Sequence, residues 1–96
     1  MVIYDLKEDK SIGEIATESW PHSIDVDLNK NLLFVSNLES DSITVISMDN
    51  YDIVETIHAP EYPTKVRISN DGKKIYICCS YLGKDRRGYI DILNIG

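Results

Sequence analysis

The stretch PHSIDVDLNKNLLFVSN at residues 21–37 decides the reading, because PTKVRISNDGKKIYICC at 63–79 repeats it 42 positions later. Ile24, Val26, Leu33, Phe34 and Val35 fall on Val66, Ile68, Ile75, Tyr76 and Ile77, so residue character matches along with spacing. Working outward toward the N-terminus by the same step, Val45, Ile46, Met48, Val54, Ile57 and Tyr62 fall on Ile3, Tyr4, Leu6, Ile12, Ile15 and Trp20. A repeat of this length signals a solenoid, a propeller or an array, in which each unit hides its apolar face only by stacking on a neighbour.

Strand sequence fills the repeat. SIDVD, NLLFVSN, DSITVIS and YDIVETI are short runs rich in Val, Ile, Thr, Phe and Tyr, each bounded by turn-forming residues. No segment holds an i, i+3, i+4, i+7 apolar pattern for three turns, which removes the helical repeats. Four strands in about 42 residues is the blade length of WD40-type propellers. With strands lettered A to D from the inner to the outer edge, the complete blade is expected at 22–27, 31–37, 42–47 and 52–58. The N-terminal piece supplies C (2–6) and D (11–16). The C-terminal piece supplies A, B (74–79) and C (89–94), where Ile43, Val45 and Ile46 match Ile90, Ile92 and Leu93 at a spacing of 47, so the B to C loop carries a five-residue insertion. The A to B turns are 28–31 and 70–73, and Gly72 can supply a positive φ in the second. The expected fold is therefore all-β: a propeller segment of about two and a quarter four-stranded antiparallel blades, one domain over 1–96. Ile24, Val26, Leu33, Val35, Val45 and Ile57 are its expected buried positions. Half a blade at one end and three strands at the other point to a fragment of a larger ring. Its partners are then the remaining blades of a longer propeller or copies of itself.

These motifs resemble the YVTN-type β-propeller repeat, P-x-x-[IV]-x-[IV]-S-x-D-G-K-x-[LIV]-Y-V-[TAS]-N followed by [SG]-x-[IV]-x-V-[IL]-[DN]. Phe34-Val35-Ser36-Asn37 and Tyr76-Ile77-Cys78-Cys79 sit on the signature tetrad. Asn29-Lys30 replaces the Asp-Gly of one turn, and Cys79 replaces the Asn of the second tetrad. The resemblance implies a seven-bladed ring, similar in fold to lactonase-like propellers. It implies no reaction, since one fold hosts many functions.

Composition narrows the partners. A net charge of −6 and a pI near 4.7 argue against nucleic acid and against anionic membrane surfaces, and no apolar run is long enough to span a bilayer. No basic segment followed by a long apolar one opens the chain, so a cytoplasmic location is the default expectation, with the compartment of a full-length protein open. Cys78 and Cys79 are adjacent on a strand and read as two reduced, buried thiols, a disulfide between neighbours needing unusual geometry.

Antiparallel pairing gathers the D to A and B to C connections on one rim, and loops on a rigid scaffold are where recognition resides. The candidate ligand-binding residues there are Trp20, His22, Glu39, Asp41, His58, Tyr62 and Arg86. His22 and His58 can act as bases or metal ligands, although two His without a shared carboxylate read more readily as structural. Glu39 and Asp41 read as a cation or acid–base pair, or as solvated loop charge. Arg86, within the Lys84 to Arg87 cluster, can clamp an anion, or it belongs to a mobile charged loop. Trp20 and Tyr62 share a repeat position just before proline, where a ring can stack on a sugar or peptide or, the favoured reading, pack between blades. No catalytic motif and no cofactor site is present, so a non-enzymatic scaffold binding a protein or small ligand leads. A lactonase-like hydrolytic propeller and a structural self-assembling piece are the alternatives.

Overall fold

The computed structural model describes residues 1–59, 61–80 and 88–95, and every regular element among them is a β-strand. β1 (Val2–Asp5) and β2 (Lys10–Glu14) form a first sheet. β3 (Pro21–Asp27), β4 (Leu32–Asn37), β5 (Ser42–Ser47) and β6 (Ile53–His58) form the second, and β7 (Pro63–Ile68), β8 (Lys74–Ser80) and β9 (Gly88–Asn94) the third. Within each sheet every strand pairs antiparallel with the next in sequence, which hairpin connections permit and parallel pairing would not. Strand ends differ from the sequence expectation by one or two residues.

The turns follow from short polar side chains. Asp5 Oδ1 accepts from the amides of Lys7 and Glu8, and Asp27 Oδ1 from those of Asn29 and Lys30, so a carboxylate closes each turn. The left-handed residues that complete the turns are Asp9 (φ 55°), Asn31 (φ 56°), Asp41 (φ 50°) and Tyr51 (φ 63°), with Gly72 (φ 71°) in the third sheet. Asn and Asp tolerate that region better than other side-chain-bearing residues, which explains how Asn31 completes a turn lacking Asp-Gly. Backbone irregularities repeat with the sequence: the register slips between Pro21 and Ser23 and again between Pro63 and Lys65, and between Ile3 and Tyr4 as between Val45 and Ile46. The 42-residue period thus extends to the bulges.

Burial rises toward the middle strands. β4 and β5 are nearly closed on both faces, whereas the outer strand β6 is open along most of its length. Alternation explains this: Phe34, Ile43 and Val45 pack with Val66, Ile75, Ile77 and Cys79 of the third sheet, while Val35 and Ile46 turn the other way, against Ile15, Met1 and Ile3 of the first-sheet segment. The sheets therefore stack face to face as propeller blades do. Of the six positions expected in the core, Val35 and Val45 are buried and Val26, Leu33 and Ile57 are half-buried. Ile24 is a correction, at 52% exposed against 0% for its repeat partner Val66. Val66 faces the middle sheet, but the two-stranded first sheet covers Val35 and Ile46 and puts no strand opposite β3. Cys79 is buried among apolar side chains, and Cys78, on the opposite face, is only half-buried, which corrects the expectation of two buried thiols. No helix among the described residues is long and apolar enough to cross a membrane.

Candidate functional site

One end of the stack carries the connection before β3, the β4–β5 turn, the connection before β7 and the end of β8. Hydrogen bonds lace these together. Leu38 N donates to Trp20 O (2.9 Å), Ser19 N to Ser40 Oγ (2.8 Å) and Ser19 Oγ to Glu39 Oε2 (3.0 Å). On the other side of the same turn, Ala59 N donates to Asp41 O (2.8 Å), Tyr62 N to Asp41 Oδ1 (2.9 Å) and Ser80 N to Tyr62 O (3.2 Å). The β4–β5 turn is therefore a hub that fixes both connections. Beneath it, buried Asn37 donates from Nδ2 to Ser42 Oγ (3.1 Å) and Thr44 Oγ1 (2.7 Å), and Ser42 Oγ donates to Glu18 Oε1 (2.9 Å).

Trp20 and Tyr62 stand at matching points of this rim, both in left-handed backbone at φ 57° and 39°. That conformation costs an aromatic residue about 1–3 kcal/mol, and the hydrogen bonds on their backbones hold it. The rings diverge: Tyr62 is half-buried, while Trp20 is 57% exposed and belongs to neither core cluster. The packing expected between blades is absent for Trp20, whose left-handed backbone precedes the pleat of β3.

His22 occupies the bulge at the start of β3, and its Nδ1 lies 2.8 Å from Thr64 O. A carbonyl only accepts, so Nδ1 is the donor in this contact. The bond is the first rung of a ladder from β3 to the third sheet. Val66 N donates to Ser23 Oγ (3.2 Å), Ile68 N to Asp25 Oδ2 (2.7 Å), and Lys30 Nζ to Gly72 O (2.7 Å). The inner strands of adjacent sheets are thus joined by side chain to backbone contacts. Ser23, Asp25, Asp27 and Lys30 were not among the candidate ligand-binding residues read from sequence, although Ser23, Asp25 and Asp27 alternate with Ile24 and Val26, and that period-two polar pattern was readable.

His58 is exposed at the end of β6, across from Ser42. The order β3-β4-β5-β6 puts it three strand spacings from His22, roughly 14 Å, too far for the two imidazoles to share a ligand. Glu39 is exposed, and Asp41 is half-buried with an oxygen committed to the Tyr62 amide. Arg86, the rest of its basic cluster and most of the loop expected to be mobile lie outside the described residues. Among the described residues no three His, Cys, Asp or Glu side chains converge as a metal site.

The opposite rim holds Asn29, Asp49 and Asp71. Asn31 Nδ2 donates to Asp49 Oδ1 there. Ser69 Oγ donates to Asp71 Oδ1 (2.6 Å) and Lys73 N does so at 3.0 Å, which together hold that carboxyl below its ordinary range. Asp27 is 5% exposed, and its Oδ2 has no hydrogen-bond partner among the described residues. Away from both rims, Glu55, Ile57, Leu93, Asn94 and Ile95 line an open groove of about 610 Å³ between β6 and the end of the third sheet.

Comparison with known proteins supports the architecture. The chain matches no protein-family profile. It is 28% identical over 79 residues to the "Uncharacterized protein YncE" of Salmonella typhimurium and, to the same extent, to that of Salmonella typhi, covering 80% of this chain and 22% of theirs. The structure superposes on a chain of Kuenenia stuttgartiensis hydrazine synthase with a TM-score of 0.85 and 29% identity, over 97% of this chain and 26% of that one. The chain thus spans about a quarter of the length of these proteins. With the three stacked antiparallel sheets, these matches identify the fold as that of a β-propeller segment.

Proposed function

We propose that this chain is part of a β-propeller scaffold, within a larger ring of the seven-bladed kind that the YVTN-type repeat implies. The scaffold binds a protein or small ligand on the rim of the β3, β4–β5 and β7 connections, and it does so without catalysis. The observation that carries this reading is the exposed Trp20 ring, on a backbone held by Leu38 at the Trp20 carbonyl and by Ser40 and Glu39 at the neighbouring Ser19. A rigid aromatic surface gives large contact area at low entropic cost, which suits a sugar face or a peptide. His22, Asp41 and Glu39 support it as framing residues, since each has a polar atom committed to the scaffold. The ring is completed by further sheets of the same repeat, in a longer chain or in other copies.

Trp20 is the single tryptophan, so its fluorescence reports this rim directly. Titration with oligosaccharide and peptide panels should shift Trp20 emission, and Trp20→Ala should abolish binding measured by calorimetry. A ligand whose amide-shift footprint centres on Asn29 and Asp71 would place recognition on the wrong rim for this reading. Turnover of a lactone panel would overturn its non-catalytic part.

A further inference from the structure

The hydrogen-bonding capacity left over around Trp20 narrows what its rim would take. Glu18, Glu39 and Asp41 stand in the connection that carries Trp20 and in the β4–β5 turn bonded to it, and residues 17–20 and 38–41 hold no Lys or Arg. Each carboxylate is anchored at one oxygen: Glu18 Oε1 by the buried Ser42 hydroxyl, Glu39 Oε2 by the Ser19 hydroxyl and Asp41 Oδ1 by the Tyr62 amide. The other oxygen of each makes no hydrogen bond among the described residues. Beneath them Asn37 is 0% exposed and its Oδ1 has no partner either, so the network running through Ser42 to Glu18 holds an unmet acceptor at its buried end as well. The basic residues that the sequence assigns to this rim, Lys84, Arg86 and Arg87, follow β8 one repeat farther on and lie outside the described residues.

A ligand for this corner must bring donors and positive charge. Anchoring matters here, because a loose surface carboxylate contributes little, whereas one already held loses less freedom when a partner arrives. A neutral sugar fits less well, since its hydroxyls call for donors as well as acceptors and it leaves the like charges unrelieved. Among cations the exposed indole selects guanidinium over ammonium. The planar group stacks on an aromatic face while its edge still offers a fork of N–H donors to carboxylates.

We propose that the Trp20 corner takes an arginine side chain of a peptide, its guanidinium plane on the indole and its N–H groups on the unbonded oxygens of Glu39 and Glu18. This rests on the rim reading above and names the ligand class for it.

Triarginine is the probe, with trilysine, triglutamate and maltotriose beside it, read by Trp20 emission and by calorimetry at low and high salt. Triarginine should move the emission, bind about threefold tighter than trilysine and weaken as salt rises. Glu39→Gln, at an exposed position, should weaken it about fivefold. Asp52→Asn removes the same charge from an exposed position on the opposite rim and should leave it unchanged. No binding of triarginine, equal binding of triglutamate, an unchanged affinity in Glu39→Gln, or an equal loss in Asp52→Asn overturns the proposal, the last by showing diffuse attraction alone. Maltotriose moving Trp20 emission where triarginine does not would overturn this inference and leave the rim reading standing. Triarginine with its amide-shift footprint on Asn29 and Asp71 would overturn both.

Discussion

Removing the Asp25 carboxylate tests how the sheets are joined. Its Oδ2 accepts from Ile68 N at 2.7 Å across the junction, and its Oδ1 accepts from Val26 N at 2.9 Å within β3. A hydrogen bond to a charged acceptor contributes about 1.5–3 kcal/mol, and both of these are only partly buried, so water can take over some of the lost contact. Asp25→Ala should therefore cost about 2–4 kcal/mol, a large share of the 5–15 kcal/mol typical of a whole domain. Asp25→Asn keeps one acceptor oxygen and should cost about half as much. Urea unfolding followed by Trp20 emission measures the sum, and native-state hydrogen exchange at the Ile68 amide measures the inter-sheet bond alone. If Asp25→Ala costs less than about 0.5 kcal/mol and the Ile68 amide exchanges at its wild-type rate, the ladder is not what joins the inner strands.

Val35→Ala, at a position with no exposed surface, should cost on the order of 1–4 kcal/mol in the same unfolding assay, and Ile24→Ala, at 52% exposure, under about 1 kcal/mol. Gly72→Ala forces a side chain into φ 71° and sets its Cβ 2.7 Å from Asp27 Oδ2, so about 1–3 kcal/mol of destabilisation is expected. Gly13→Ala, whose Cβ would meet nothing nearer than Ile3 Cδ1 at 3.9 Å, should be close to neutral. Because the Ser69 hydroxyl, then the Lys73 amide, holds the Asp71 carboxyl down, its contribution to stability is present above the unfolded carboxyl's ordinary value and is lost as pH falls through the lowered one. Ser69→Ala should raise the Asp71 titration midpoint read by NMR, and an unmoved midpoint would show that the hydroxyl is not the cause.

Period and alternation were enough to read the strands and their pairing order, because a strand's side chains alternate whatever lies beyond it. The same pattern put Val35 and Val45 in the core. Even the left-handed turn at Gly72 was legible, since few residues adopt that backbone at low cost. Of the rim, the sequence indicated the loops and the residues on them.

Other properties depended on what stands alongside. Ile24 and Val66 share a repeat position, yet one is open and the other closed, because only Val66 has a four-stranded sheet in front of it. Trp20 and Tyr62 share another, and only the folded loops show which ring reaches solvent. The roles of His22, Ser23, Asp25 and Lys30 rest on backbone groups 42 or 43 residues away. A local pattern specifies which face a side chain takes, but burial and hydrogen bonding are set by the neighbour that meets that face, and only tertiary stacking supplies it.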